Sequence, residues 1–104
     1  MPKQDLPARI ALALQVLVST GHGDGSLHTY GREIAEAEGR TTPYDAATID
    51  EWLKGVRCPT FGAISALARI AYPQEENQRW LLYGPDSGYG VNEADWQRYT
   101  DTVP

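Results

Sequence analysis

The stretch from His28 to Thr60, HTYGREIAEAEGRTTPYDAATIDEWLKGVRCPT, is the one around which the rest of the chain is organised. Glycine interrupts it at Gly39 and Gly55, and Pro59 closes it. Each glycine follows a run with helical character and can adopt the left-handed conformation that ends a helix. Ile34 and Ala35 give the first run an inward face, and Ile49, Trp52 and Leu53 give one to the second. Strand signals are absent. The stretch reads as two short helices, a tight turn and a basic, proline-marked exit.

The rest of the chain reads as support for that pair. Leu6 to Ser19 has helical spacing through Leu6, Ile10, Leu14, Leu17 and Val18, with Asp5 as N-cap and Pro7 in the first turn. Its polar side, Arg9 and Gln15, is thin, which predicts burial on more than one side, within the core or partly against a second subunit. Residues 21–27, GHGDGSL, are a loop; without a GK[ST] ending or a preceding strand they are no phosphate loop. Thr29 is placed to cap a helix from Tyr30 to Glu38. Thr42 as N-cap, Pro43 at the first position and Asp45 at the third predict a helix from Pro43 to about Lys54. Thr60 caps a helix from Phe61 to Ala71, stopped by Tyr72-Pro73. A fifth helix spans Gln74 to Tyr83, and Gly84-Pro85 ends it. Asn92-Glu93-Ala94-Asp95 caps a last short helix from Glu93 to about Thr100. Its Trp96 and Tyr99 have two readings: they fold back on the chain's own apolar surface, or they form a dimer or partner contact.

The 104 residues suffice for one domain, and a hydrophobic fraction of 41% suffices for its core. No run approaches the roughly 18 apolar residues of a membrane span. The N-terminus lacks a secretory layout, so a cytoplasmic protein with no membrane partner is expected. Cys58 is the sole cysteine, which leaves no intramolecular disulfide and no zinc cluster. His22, His28 and Asp24 lack a second pair at ligand spacing, so neither a metal nor a cofactor is expected. No nucleophile–base pair or cofactor fingerprint points to an enzyme. The net charge of −5 is concentrated late. Residues 73–104 carry Glu75, Glu76, Asp86, Glu93, Asp95 and Asp101 against Arg79 and Arg98, whereas residues 29–69 are close to neutral. The central segment can therefore approach phosphate more readily than the whole-chain charge suggests.

With these elements in order, the chain resembles the lambda-repressor-like, XRE-type helix-turn-helix DNA-binding domain. REIAEAEG is similar to that family's second helix, with Ala35 at the close crossing and Gly39 at the turn. TIDEWLKGVRCPT is similar to its third helix and exit, through Ile49, Trp52, Leu53, Gly55, Arg57, Pro59 and Thr60. ISALARIA and WLLYG resemble its fourth helix and fifth-helix ending. The resemblance covers roughly residues 6–84. The long loop before the second helix is similar to that of some actinobacterial regulators and nucleoid-associated proteins. It implies an all-α fold: a five-helix domain over residues 1–84, followed by an acidic tail, 85–104, with a short helix.

The resemblance also implies a DNA-binding transcriptional regulator, acting on double-stranded DNA as a homodimer with its third helix in the major groove. Tyr44, Ala47 and Thr48 are then the candidates for base edges or thymine methyls. Arg40, Thr42, Lys54, Arg57 and Thr60 are candidates for the DNA interface around them, mainly at the backbone. Asp45, Asp50 and Glu51 make that helix acidic, and Asp50 and Glu51 are within reach of Lys54. This acidity keeps a second class open, in which the fold serves as a protein-interaction module or a DNA mimic.

Overall fold

The computed structural model describes residues 5–85 and 88–102, and these are helical with no strand among them. Six helices follow in order: α1 Leu6–Ser19, α2 Leu27–Glu38, α3 Ala46–Lys54, α4 Phe61–Ala71, α5 Glu75–Tyr83 and α6 Glu93–Thr102. No described helix is long and apolar enough to cross a membrane.

α4 forms the centre. Seven of its residues are buried, among them Ala63, Ile64, Ala66, Leu67 and Ala68, and α1, α2, α5 and α6 all pack on it. Alanines on so many sides allow several helices to approach one axis closely. α1 contributes one stripe, Leu6, Ile10, Ala13, Leu14 and Leu17. Within the chain α1 is covered along this stripe alone: Leu12 and Val18 are exposed, so Val18 leaves the expected inward set. Arg9, expected on the polar side, is instead 4% exposed.

Two helix starts differ from the sequence reading by three residues, and that of α5 differs by one, at Glu75 with Gln74 as its N-cap. α2 begins at Leu27 with Ser26 as N-cap, whose Oγ accepts from the Thr29 N–H at 3.2 Å. Thr29 is buried one turn inside the helix, and its Oγ1 accepts from the Ser26 hydroxyl at 2.8 Å. The second difference matters more for the site. α3 does not begin at Pro43 but at Ala46, with Asp45 as the cap that accepts from the Thr48 N–H at 2.8 Å. Thr42 and Pro43 lie in a non-helical connection from Gly39 to Asp45.

The physical reason for that later start is the docking of Tyr44. Its N–H donates to the Gly31 carbonyl at 3.3 Å, its ring lies edge-on to Trp52 at 5.2 Å, and its hydroxyl donates to Glu38. A helix starting at Thr42 would give up these contacts. Thr42, Pro43 and Tyr44 therefore belong to the connection and not to the helix.

The close approach requires a glycine on α2. A Cβ at Gly31 would lie 2.0 Å from the Tyr44 carbonyl oxygen, which is backbone and cannot swing aside. Gly31→Ala is expected to destabilise the chain by about 2–3 kcal/mol, the upper part of the overpacking range. Gly39→Ala meets no atom within 4 Å and strains only its φ of 84°, which costs about 1 kcal/mol. Urea unfolding followed by circular dichroism ranks the two; an equal or smaller loss for Gly31→Ala would contradict this docking.

Candidate nucleic-acid interface

α3 is short, nine residues, and capped at both ends. Asp45 closes its N-terminus; Gly55, at φ 73°, ends it, and the Val56 N–H donates to the Glu51 carbonyl at 3.0 Å. Ile49 and Trp52 face the core, and Leu53 is half-buried against it. By helical spacing the opposite face carries Ala47, Asp50, Glu51 and Lys54. Ala46 and Ala47 are exposed and Thr48 is half-buried.

The cations around this face are engaged. Lys54 Nζ lies 2.8 Å from Asp50 Oδ2, one helical turn earlier, and this contact raises the Lys54 pKa. Arg57 turns back, with Nε 3.7 Å from Glu51 Oε1, and its charge also helps to hold the Asp45 carboxyl low. Glu51, expected near Lys54, instead serves Arg57. The Arg40 guanidinium lies over the Tyr44 ring, its Cζ 4.2 Å from the centroid, and its Nε–H donates to the Thr42 carbonyl at 3.3 Å. All three cations remain exposed. The acids Asp45, Asp50 and Glu51 stand against Arg40, Lys54 and Arg57, so formal charge on the face cancels.

The candidate residues divide into two sets. Ala47, Thr48, Lys54 and Arg57 sit on α3 or its exit. Thr60 is exposed and caps α4, its Oγ1 accepting from the Ala63 N–H at 3.3 Å. Tyr44 is placed differently from the expectation: it precedes α3, and it is half-buried between Glu38, Trp52 and Arg40. Burial first, then the hydrogen bond to Glu38, raise its hydroxyl pKa. Thr42 is exposed in the connection. Trp96 and Tyr99 follow the first of their two readings: they are 2% and 0% exposed in the chain's own core and offer no side-chain surface to a partner.

The sequence missed Glu38 and Gly31 as parts of this region. Gly31 carried a usable signal, since a lone glycine inside a helical run often marks a close approach. Glu38 carried none, because a loop brings it to Tyr44. A Cβ at Gly62, in the first turn of α4, would lie 2.4 Å from the Glu38 carboxylate, so that residue also borders the α4 start.

Elsewhere, Asp24 accepts from the Ser26 N–H at 3.0 Å. Among the described residues no three His, Cys, Asp or Glu converge on a metal-sized site. The chain matches no family model, no curated protein and no solved structure.

Three carboxylates tie stability to pH. The Ser26 backbone N–H lowers Asp24 from 3.8 to about 2; hydrogen bonds from Thr48 lower Asp45, and the Gly90 N–H lowers Asp95. A depressed carboxylate stabilises the fold above its unfolded value, and that contribution disappears as pH falls through the folded one. Stability should therefore drop between about pH 4 and about pH 2. Asp24→Asn keeps an acceptor oxygen but cannot titrate, so its urea midpoint should fall less steeply over that window. A slope equal to that of the parent chain would contradict the assignment.

Proposed function

We propose that α2, the 39–45 connection and α3 form a helix-turn-helix unit, and that the chain is a double-stranded DNA-binding transcriptional regulator acting as a dimer. The observation that carries the reading is the arrangement around α3. An exposed helix face with small side chains at its start is bordered by Arg40, Lys54 and Arg57, and it is followed directly by the exposed, Thr60-capped start of α4. A groove-entering helix needs a low-profile surface where it meets base edges and cations at its margins for phosphate. Ala47 and Thr48 take the first role, with thymine methyls as natural contacts for both. Arg57, Lys54, Arg40 and the α4 N-terminus take the second.

The ion pairs set the character of the binding. Lys54 and Arg57 must exchange a carboxylate for a phosphate, so part of the electrostatic gain offsets a loss. Both pairs are largely exposed, so neither contributes much to the fold. The exchange is therefore feasible, and the binding it yields is modest and salt-sensitive.

A second reading draws on the same pairs. A face of alternating acids and bases complements a protein surface of mixed charge, and the fold then serves as an interaction module. Fold alone does not decide between the two.

Binding to mixed-sequence duplexes, titrated over salt, separates them. DNA binding predicts a steep loss of affinity with salt, with the slope reduced by about one in Arg57→Ala and in Lys54→Ala. Glu51→Gln releases Arg57 and should tighten binding by roughly threefold, within the worth of an exposed pair. No binding by the parent chain at about 50 mM salt, where such contacts are strong, would overturn the reading.

A further inference from the structure

The indole of Trp96 links α6 to the segment between α3 and α4. Its Nε1–H donates to the Pro59 carbonyl at 3.2 Å, in a buried contact 37 residues apart in sequence. That carbonyl belongs to the same planar peptide unit as the Thr60 N–H, so holding it fixes the plane in which Thr60 begins. Thr60 in turn caps α4: its Oγ1 takes the Ala63 N–H and its carbonyl takes the Ile64 N–H at 3.0 Å. Pro59 has a fixed φ and no N–H, which makes its carbonyl the natural backbone handle.

The donor is itself held firmly. The Trp96 ring packs on Tyr99 at 5.8 Å and on Tyr83 at 6.0 Å between centroids. Arg9 reaches the Tyr99 hydroxyl at 3.5 Å. At the start of α6, Asn92 accepts from the Asp95 N–H at 2.8 Å, and Asp95 accepts from the Gly90 N–H at 2.7 Å. α6 therefore presents its indole from a fixed base to a connector with only irregular backbone of its own.

We propose that α6 is a clamp on the α3–α4 connector, and that Trp96 is a positioning residue that sets how Arg57 and Thr60 meet a phosphate. The clamp itself stands on the contacts above; its consequence for phosphate rests on the DNA-binding reading. Trp96 touches no nucleic acid in this scheme and acts only through Pro59.

The test is Trp96→Phe in the full chain, which keeps an aromatic ring and removes the N–H. 3-Benzothienylalanine at position 96, which retains the bicyclic shape and replaces the N–H with sulfur, serves if the phenylalanine variant does not fold. Amide hydrogen exchange is read at Ala63 and Ile64, with Thr48, capped by Asp45, as the distant reference. Loss of a buried donor should speed exchange at Ala63 and Ile64 by about tenfold and at Thr48 by less than about twofold. Duplex affinity should fall roughly fivefold. No change at Ala63 and Ile64, or the same factor at all three amides, would overturn the clamp, the second because it would mean general loosening. Local loosening with unchanged affinity would overturn the positioning role. A parent chain that binds no duplex would sink the DNA-binding reading instead, and the exchange pattern would still decide the clamp.

Discussion

The guanidinium of Arg9 joins parts of the chain that no local interaction could bring together. From α1 its Nε–H donates to the Leu81 carbonyl at 3.0 Å and its Nη2–H to Leu82 at 3.1 Å, at the C-terminal end of α5. Those carbonyls form the negative end of a helix dipole, a favourable seat for a cation. A buried charge is costly unless its donors are satisfied, and here the geometry does that with backbone oxygens and the Tyr99 hydroxyl. The arrangement leaves no room at Gly84, where a Cβ would lie 2.9 Å from Arg9 Nη1 and where φ is 66°. The same guanidinium thus locates α1, the end of α5 and α6. α6 carries Trp96 to Pro59, and Pro59 leads into the start of α4. The candidate interface at α3 and its exit is therefore supported from the far end of the chain as well as from its neighbours.

That interface is held rigidly but is electrically quiet. Gly31, Tyr44 and Trp52 fix the connection before α3 by close backbone approach and ring packing, while Glu38 receives the Tyr44 hydroxyl. On its outer side, acids and bases pair at the surface, where pairing contributes little to stability and exchanges readily. The contacts that stabilise this region are thus distinct from the outer charges of the candidate face. Changes to the outer charges should alter what the face binds far more than they alter the fold.

The helical order, most boundaries and most of the core were legible in the sequence because they depend on spacing, caps and glycine stops. Thr60, Gly39, Gly55 and the Asn92 start are all local signals. What escaped depends on contacts across the fold. The Thr42-Pro43 pair is a good helix start in isolation, yet Tyr44 docks on Gly31, and that contact moves the start to Ala46. Arg9 read as a surface residue because nothing near it in sequence announces the α5 carbonyls. Its place within the Leu6–Ile10–Ala13 stripe was the available hint. Trp96 and Tyr99 were recognisable as an apolar pair, but whether they turned inward depended on Pro59 and Tyr83. For the candidate site, the residues of α3 and its exit and the Lys54–Asp50 pair were legible, whereas the Arg57–Glu51 pair and the displacement of Tyr44 were decided by folded geometry.

α6, the end of α5 and the start of α4 form one structural unit built on Arg9 and Trp96. Native-state hydrogen exchange of the unmodified chain in increasing, sub-denaturing urea measures this directly. The Trp96 indole N–H, the Gly84 amide and the Ala63 and Ile64 amides should open together, with the same free energy and the same dependence on urea. An indole N–H and an α6 that open at much lower free energy than Ala63 and Ile64 would contradict it, because α6 would then be an appendage and not a support.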